Sequence, residues 1–559
     1  MSKSVRILSL LTCLFLMISL VAGCGTGTAQ STAPTQSSAT APAAASAEPQ
    51  SSSATAGQPL HKLSDTPVTF TIWKPGTPAI GKVIQSYEDS AAFQEMAKIS
   101  NITLKFDTPV FGQEADKFNI MVSSGEYPDL IEGIASYYSG GGDKAISDGV
   151  ILKLNDYITK DAPDYMAARK ANKTIEKETI TDTGNMYQFE EIVYGDTVEP
   201  PAWGLAIRQD WLDDLGLKAP VTYNDLHDVL KAFKDKKGAT KPFSLDASGV
   251  PGFSSFTGGL GFYVALPGGI CSTSEYFYQV DGKVKYGPLE PGYKDYLTMM
   301  AQWYKEGLVD PNFLSVKNFN DLISVMSSGK AGVAVLPKPM FAALKANSND
   351  PKFRMVALAN PVKNPGDKIH VVNANNWTFP GDGIAISTSC KNPELAAKYL
   401  NMWYTDAGTT LLNYGVEGST YNMVDGKPQE TELLTKNPDG LSLIDALCKY
   451  CVFQFAFRSD YSRQYVGISD DQLNAHKAWL SNADPAYNMP STSLTGDEAT
   501  TYAEVMNDIN TYVQETTVKM LMGLTPLTDY DKMVQTIKNM GIDKAIAVKQ
   551  AALDRYNSR

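Results

Sequence analysis

The sequence predicts an α/β fold for the body of the chain, because segments with strand periodicity alternate with segments of helix periodicity. PVTFTIW at 67–73 alternates apolar side chains with threonines, which is typical of a strand with one buried face. SAAFQEMAKIS at 90–100 has helical periodicity, and NITLKFDTP at 101–109 returns to a period of two. Strands that alternate with helices in this way predict a parallel sheet covered by helices.

The alternation continues along the chain. EADKFNIMVSSG predicts a helix that ends at Gly125, and the next strand is expected at 129–132. Short apolar segments predict three further strands, in GLAIRQ at 204–209, KAGVAVLP at 330–337 and GDGIAIS at 381–387.

Two later helices carry start signals. Thr222 stands where an N-cap residue is expected, with Asp225 three residues further on as in a capping box. Asn392 is followed by Pro393, and proline is favoured at the first position of a helix.

The N-terminus has the organisation of a secretory signal. Lys3 and Arg6 precede an apolar segment that ends at Val21. This segment is shorter than a typical membrane-spanning helix. Val-Ala-Gly-Cys at 21–24 resembles the lipobox of bacterial lipoproteins, whose cysteine receives lipid before cleavage on its N-terminal side. We therefore expect residues 1–23 to be removed and Cys24 to be lipidated; an ordinary signal peptide with an incidental cysteine is the alternative.

The segment after Cys24 predicts a disordered tether over residues 24–64. From 25 to 58 it consists of Ser, Ala, Thr, Pro, Gly and Gln, with Glu48 as its one charged residue. Such a composition cannot bury enough apolar surface to offset the entropy of ordering the backbone. A lipid anchor followed by a tether predicts a protein held on the extracellular face of the cell membrane.

Composition and charge are those of an acidic globular protein. The 559 residues are 43% hydrophobic and 20% charged, which is ordinary for a globular protein. The formal net charge is −12, which argues against a nucleic-acid partner because phosphate binding needs a basic surface.

The cysteines do not form a disulfide framework. After Cys13 and Cys24, the chain has Cys271, Cys390 and the pair Cys448 and Cys451. The last two have redox spacing, but the strand–helix context of a redox motif is missing. We interpret them as two half-buried thiols or as a short local disulfide.

Four segments resemble one known family. YGPLEPGYKDYLTMMAQWYKEGLVDPNF at 286–313 is similar to a segment typical of extracellular solute-binding proteins of family 1, the lipoprotein components of carbohydrate ABC importers. Three further segments are similar to the family: VSSGEYPDLIEG at 122–133, the stretch 207–234, and the stretch 392–421, which begins NPELAAKYLNMWYTDAG. They follow the family's order over nearly the whole chain after the tether.

The resemblance implies a two-lobed fold of the type II periplasmic-binding-protein class, with hinge crossings between the lobes and ligand held in the cleft. It places the N-terminal lobe at 65–195 plus 384–425 and the C-terminal lobe at 196–383 plus 426–559. It also implies ABC permease subunits as partners, a monomeric chain, and capture of ligand by lobe closure.

A calcium site is not expected. Many members of the family carry an Asp- and Asn-rich loop where this chain reads DKKGATKPFSLD, whose acidic residues are Asp235 and Asp246. A calcium loop needs several carboxylates, so we predict no metal there and no cofactor elsewhere.

A glycan-degrading enzyme is the alternative from another class. The body has four histidines and no H-x-x-x-H, G-x-S-x-G or P-loop spacing. Glycosidases need two carboxylates, for which Glu190–Glu191 or Asp213–Asp214 are candidates. Adjacent acidic residues in an acidic protein are more often solvated surface, which is how we interpret both pairs.

Aromatic side chains at predicted strand ends are the candidates for sugar binding, because ligands gather beyond the carboxyl ends of parallel strands. Trp303 and Trp403 lie at helical spacing and are expected in the core instead. The candidate ligand-binding residues are Trp73, Tyr137, Trp203, Arg208, Asn376, Trp377 and Tyr421.

These residues favour an oligosaccharide ligand. A neutral sugar site needs mainly aromatic and amide groups, whereas a peptide site needs charges for two termini. A receptor for a peptide or another small solute is the alternative among binding proteins.

Overall fold

The structure is a computed structural model. It describes residues 59–77, 79–110, 113–194, 203–247, 254–264, 276–316, 319–338, 340–371, 378–465 and 469–559.

Thirteen strands lie within these ranges. They are β1 (Val68–Trp73), β2 (Ile102–Asp107), β3 (Leu130–Glu132), β4 (Phe189–Val193), β5 (Trp203–Arg208), β6 (Phe277–Val280), β7 (Lys283–Tyr286), β8 (Val333–Pro337), β9 (Met355–Ala357), β10 (Thr378–Ile386), β11 (Tyr421–Val424), β12 (Lys427–Glu430) and β13 (Arg458–Ser459).

The same part of the chain forms twenty-two α-helices. They are α1 (Ala91–Ser100), α2 (Glu114–Ser124), α3 (Ile134–Tyr137), α4 (Gly141–Ser147), α5 (Asn155–Asp161), α6 (Pro163–Lys170), α7 (Lys173–Glu178), α8 (Gln209–Leu215), α9 (Tyr223–Lys237), α10 (Ser254–Thr257), α11 (Pro291–Lys305), α12 (Phe319–Ser327), α13 (Met340–Asn347), α14 (Pro393–Asn401), α15 (Asp406–Tyr414), α16 (Glu432–Thr435), α17 (Leu443–Tyr450), α18 (Asp470–Leu473), α19 (Ala475–Leu480), α20 (Gly496–Leu521), α21 (Tyr530–Asn539) and α22 (Ile542–Ser558).

The first lobe is built on a six-stranded sheet with the order β13-β4-β10-β3-β1-β2. β1 is parallel to β2 and to β3, as the alternation of strands and helices predicts, whereas β10 runs antiparallel to β3 and β4. Alternate residues of β1 face two cores: Phe70 and Ile72 belong to the larger one, and Trp73 to the smaller one. Both faces of the sheet are therefore covered.

The second lobe contains a three-stranded antiparallel sheet with the order β8-β5-β9. Its main core combines β5 and β8 with α9, α11 and the C-terminal helices α20 and α22. Trp303 of α11 lies in this core, and Trp403 lies in the larger core of the first lobe, which confirms the expectation for both tryptophans.

Within the described ranges, consecutive segments lie in different lobes at three places: between β4 and β5, between Val371 and β10, and between Tyr465 and α18. We call these three places the passages between the lobes. The first passage follows β4, which ends at Val193, and the boundary expected near 195 stays a prediction. The second lies before β10, so the boundary expected at 384 falls inside a strand of the first sheet.

The third passage corrects the expected division of the C-terminal part. We assigned 426–559 to the second lobe, but β13 pairs with β4 in the first sheet, and Phe455 and Phe457 lie in the first lobe's core. The physical reason is that β13 has two residues, which is too short to give the sequence a periodicity. The chain therefore returns to the second lobe only after Tyr465.

Both predicted helix starts are confirmed. The side chain of Thr222 accepts a hydrogen bond from the amide of Asp225 at 3.1 Å, and the carboxylate of Asp225 accepts one from the amide of Thr222 at 2.9 Å. The side chain of Asn392 accepts from the amide of Leu395 at 3.2 Å.

Cys448 and Cys451 are free thiols in this structure, Cys448 half-buried and Cys451 buried. Burial raises the pKa of both thiols to about 12, which disfavours the reactive thiolate. Of the two readings of the CKYC segment, the thiol pair is the one present.

Over the ranges given above, none of the helices has both the length and the apolar character needed to cross a membrane.

Candidate functional site

The carboxyl ends of β1 and β3 lie at one edge of the first sheet, because the two strands are parallel and neighbours. We call this the strand-end edge; it is formed by Trp73, the last residue of β1, with Lys74 after it, and by Glu132, the last residue of β3, with Gly133 after it. The chain leaves the same edge for the second lobe after β4 and after β13, so the edge faces the second lobe. In open α/β sheets this is where ligands bind.

A buried ion pair occupies the strand-end edge. The ammonium group of Lys74 donates to Oε1 of Glu132 at 2.6 Å and to the main-chain oxygen of Gln454 at 3.1 Å. Its Nζ also lies 4.3 Å from the ring centroid of Phe455 and 4.9 Å from that of Tyr87. A buried ammonium loses its hydration, and the carboxylate and the two ring faces compensate for that loss.

Tyr87 closes one side of this pair. Burial raises the pKa of its hydroxyl to about 12, although the positive charge of Lys74 acts in the opposite direction. The hydroxyl donates to the main-chain oxygen of Pro75 at 2.8 Å, and so stays neutral over the physiological range.

Glu190 and Glu191 of β4 are both buried, each 1% exposed, so our interpretation of this pair as solvated surface is wrong. The amide of Gln188 donates to Glu190 at 2.9 Å, and the hydroxyls of Ser459 and Tyr461 donate to Glu191. The reason is that β4 is an interior strand between β10 and β13, which a two-residue pattern does not reveal.

The second acidic pair is a surface pair, as expected. Asp213 and Asp214 are exposed, and Asp214 accepts from Lys237 at 2.7 Å. Glu190 and Glu191 are successive residues of β4, so their side chains point to opposite faces of the sheet, whereas the two carboxylates of a glycosidase flank one bond.

Trp73 is 2% exposed and lies in the smaller core. Its ring makes edge contacts with Phe118, at a centroid distance of 5.1 Å, and with Tyr137, at 5.8 Å. Tyr137 itself is half-buried. In this structure Trp73 therefore packs against Tyr137, and its own ring is not accessible to a ligand.

Gly133 permits this edge contact between Trp73 and Tyr137. Its φ of +87° lies in the left-handed region, and a Cβ atom there would stand 2.9 Å from the ring of Tyr137. Any larger residue would displace Tyr137 from the strand-end edge.

Trp203 is half-buried and begins β5, directly after the first passage between the lobes, where it pairs with Pro337 of β8. β8 ends there, and the buried Lys338 follows. This end of the second sheet therefore faces the first lobe, opposite the strand-end edge.

Arg208 lies at the other end of β5, about 16 Å from Trp203 at the usual rise per strand residue. It is 1% exposed and donates to Asp210 and, at 3.0 Å, to Asp350. Its guanidinium also lies 4.5 Å from the ring centroid of Trp211 and 4.2 Å from that of Phe353. These contacts enclose the guanidinium of Arg208 within the second lobe.

Tyr421 begins β11, is 7% exposed, and has its ring centroid 6.0 Å from that of Tyr414. Burial raises the pKa of its hydroxyl, and the charge of Glu417 adds to this effect. Asn376, Trp377 and Cys24 lie outside the described residues.

Lys74 and Glu132 lie at the same edge but are not among the residues that the sequence analysis selected. Lys74 directly follows one predicted strand and Glu132 ends another, so the strand-end rule applied to them as it did to the aromatic residues. Among the residues that the structure describes, His, Cys, Asp and Glu side chains form no group that could hold a metal ion.

The sequence model of the bacterial extracellular solute-binding proteins matches residues 85–410, more than half of the chain. The fructooligosaccharide ABC transporter substrate-binding protein FusA of Streptococcus pneumoniae is 26% identical over 472 residues, covering 79% of this chain and 83% of FusA. The polygalacturonan/rhamnogalacturonan-binding protein YtcQ of Bacillus subtilis is 24% identical over 467 residues, covering 80% of this chain and 85% of YtcQ.

A solved structure shares the fold. The HMO-binding, ABC-transporter-associated solute-binding protein of Bifidobacterium longum infantis superimposes with a TM-score of 0.71 at 19% identity, over 88% of this chain and 99% of that one. With the family match over 85–410 and two lobes of the type II class, the chain belongs to the bacterial extracellular solute-binding proteins.

Proposed function

We propose that this protein captures an oligosaccharide between its two lobes and delivers it to the permease subunits of an ABC importer. The observation that carries this proposal is the extent of the likeness to FusA, which covers 79% of the chain and therefore both lobes. Closure of two rigid lobes over a ligand is an established way of trapping it.

The strand-end edge and the Trp203 end of the second sheet are the proposed binding surfaces. Tyr137 and Trp203 are half-buried, so each keeps ring surface available to a sugar. Trp377 and Asn376 are proposed as further contacts from the second passage between the lobes. We assign Trp73, Arg208 and Tyr421 to packing, because protein side chains already enclose them.

Binding is tested by calorimetry on the chain without its first 23 residues, against neutral oligosaccharides and, in parallel, against short peptides. We expect micromolar or tighter binding of at least one oligosaccharide and none of peptides. Binding of peptides alone would replace the proposal with the alternative receptor.

We propose that the protein leaves its ligand chemically unchanged. After prolonged incubation at neutral pH, chromatography should return a bound oligosaccharide intact. Turnover that disappears in a Glu190→Gln or Glu191→Gln variant would instead support a glycan-degrading enzyme.

We propose that the protein acts as a monomer tethered to the extracellular face of the membrane by lipid on Cys24. The basic start, the short apolar run and the low-complexity tether after the cysteine support the lipid anchor. Mass spectrometry of the membrane fraction should find a mature N-terminus at lipidated Cys24, and Cys24→Ser should abolish the lipid. A mature N-terminus elsewhere would contradict the anchor.

A further inference from the structure

A cluster of polar and aromatic side chains lies in the second lobe, directly before the second passage between the lobes. Nδ1 of His370 is 2.9 Å from Oδ1 of Asp484, and the centroid of the imidazole ring is 4.7 Å from that of Tyr487. Building on the proposed function, we infer that these three residues form a subsite that binds one sugar unit of a longer oligosaccharide.

Main-chain hydrogen bonds hold the three residues together. The amide of Asp484 donates to the main-chain oxygen of Ile369 at 2.9 Å, and the amide of Tyr487 donates to that of His370 at 2.7 Å. The amide of Gln279 in β6 donates to the main-chain oxygen of Tyr487 at 3.0 Å. The backbone therefore organises the cluster before any ligand arrives, which lowers the entropic cost of binding.

Two buried tyrosines support the cluster. Tyr263 and Tyr278 are 4% and 3% exposed, and their ring centroids are 4.9 Å apart. Tyr263 meets Tyr487 edge to face at a centroid distance of 6.0 Å, and its hydroxyl accepts from the amide of His370 at 3.2 Å. The side chains of His370 and Asp484 are about one-third exposed, so the cluster rests on the core and remains accessible to a ligand.

The cluster has hydrogen-bonding atoms that the protein does not use. In the described part of the chain, Nε2 of His370, Oδ2 of Asp484 and the hydroxyl of Tyr487 have no hydrogen-bond partner. A carboxylate only accepts, so Nδ1 of His370 carries the shared proton, and Nε2 of the neutral imidazole is an acceptor. The same hydrogen bond lowers the pKa of Asp484, which keeps its carboxylate charged at neutral pH.

These groups match the chemistry of a sugar unit. Sugar hydroxyls can donate to Nε2 of His370 and to the carboxylate of Asp484, and hydrogen bonds to a charged acceptor are stronger than neutral ones. The hydroxyl of Tyr487 can donate or accept, and its half-buried ring adds apolar surface for the sugar ring. A few oriented polar groups beside an aromatic ring are typical of a small-molecule site.

The subsite lies near the Trp203 end of the second sheet. The register of β5 and β9 continues at Leu358, whose amide donates to β5 at 2.8 Å, and places Asn360 level with Trp203. The side chain of Asn482 donates to the main-chain oxygen of Asn360 at 2.7 Å, and Asp484 follows two residues later. The Cα atoms of Trp203 and Asp484 are therefore at most about 20 Å apart. A glycan that contacts Trp203 has to be an oligosaccharide to reach the subsite.

The test is calorimetry with glycans of graded length. Fructo-oligosaccharides and oligogalacturonates, each series from the disaccharide upwards, are the probes. We expect Asp484→Asn to weaken binding of the longest members of a bound series about tenfold, because it places a neutral donor where the carboxylate accepts. The shortest members that bind should keep the affinity they have for the wild type.

Tyr487→Phe is the second variant, because it keeps the ring contacts and removes the hydroxyl. It should weaken the same long members about two- to tenfold. Glu306→Gln is the matched control: Glu306 lies 2.7 Å from Nε2 of His227 in a second histidine–carboxylate pair of this lobe, which joins α9 to the end of α11 outside the subsite. The control should bind every length as the wild type does.

The dependence on length separates a subsite from a structural role. Unchanged affinity of both variants for every bound length, with the fold intact by circular dichroism, would overturn the inference and leave the proposed function standing. A loss that is the same at every length would also overturn it, because a contact at one end affects only the glycans that reach it. A wild type that binds no glycan of either series would overturn the proposed function itself.

Discussion

The guanidinium of Arg208 is enclosed by two carboxylates and two aromatic rings at the end of β5 away from the first lobe. Removing one partner of a buried pair leaves the other charge without compensation, which typically costs about 3–5 kcal/mol. We therefore expect Arg208→Met to lower the free energy of unfolding by about 3 kcal/mol in urea denaturation. Ligand affinity of the folded variant should not change; a loss of affinity without loss of stability would return Arg208 to the binding site.

Alanine substitutions at Trp203 and at Trp73 should distinguish a ligand contact from a packing residue. Trp203 is half-buried and begins β5, next to the first passage between the lobes. We expect Trp203→Ala to weaken oligosaccharide binding about five- to thirtyfold, the equivalent of about 1–2 kcal/mol for one stacked ring. The measurement is calorimetric, and an unchanged affinity would show that the ring does not contact the ligand.

Trp73→Ala is the counterpart. The ring is 2% exposed and packs on Phe118 and Tyr137, so its removal leaves a cavity and should cost about 3–5 kcal/mol of stability. The substitution should change the free energy of ligand binding less than it changes the free energy of unfolding. A variant as stable as the wild type, with lost binding, would restore Trp73 as a ligand contact.

At the residue level, the strand-end rule selected residues at the ends of strands but did not give the direction of each side chain. It singled out Trp73, Tyr137 and Trp203 correctly as residues near strand ends. It could not tell which of two covered faces Trp73 would join, because a strand buried on both sides has no polar face to mark the choice. Restricting the search to aromatics also passed over Lys74 and Glu132.

At the level of elements, the sequence predicted those with periodicity or caps. β1, β2 and α1 lie where the patterns place them, to within two residues, and α9 and α14 begin where their start signals predict. β13 could not be predicted, because it has only two residues and is defined by its pairing with β4, which is distant in sequence. β10 begins earlier than predicted, since its register shifts between Phe379 and Ile384 and breaks the alternation.

The capping box of α9 gives a prediction with a pH dependence. Thr222→Ala should lower stability by about 1 kcal/mol at neutral pH, since the amide of Asp225 loses its acceptor. Thr511→Ala in the interior of α20 is the control, and it should be neutral or slightly stabilising.

The carboxylate of Asp225 carries the pH dependence. Hydrogen bonds from the backbone and side chain of Thr222 lower its pKa below 3.8. A lowered carboxyl pKa stabilises the fold above the unfolded pKa, and this contribution is lost as the pH falls through the folded value. The difference in Tm between wild type and Asp225→Asn should be largest at neutral pH and shrink below pH 3.8; a constant difference would contradict this.

At the level of the whole molecule, the lobes touch outside their three connecting passages. Asp182, in the first lobe after α7, accepts hydrogen bonds from Arg555 of α22 and from Ser493, the latter at 3.0 Å. Arg555 also donates to Glu498 of α20 at 2.7 Å, and Arg559 pairs with Asp182. The sequence analysis gave no sign of this contact, because its partners are more than 300 residues apart.

This contact should influence lobe closure. The side chain of Asp182 is 5% exposed, so its ion pairs are shielded from solvent and should count for more than surface pairs. A ligand shifts an open–closed equilibrium only through its extra contacts in one form, and an ion network that holds the lobes together adds to the closed form in the same way.

Asp182→Asn should therefore loosen the molecule without unfolding it. We expect small-angle scattering of the ligand-free variant to give a larger radius of gyration than wild type, and oligosaccharide affinity to fall about three- to tenfold, the equivalent of about 1 kcal/mol. Asp529→Asn, outside this contact, is the matched control. Because the pairs of Asp182 are shielded from solvent, added salt should change the radius of gyration of the wild type less than the substitution does. Equal radii of wild type and variant would mean that the contact does not restrain the lobes, and that closure depends on the ligand and the connecting passages alone.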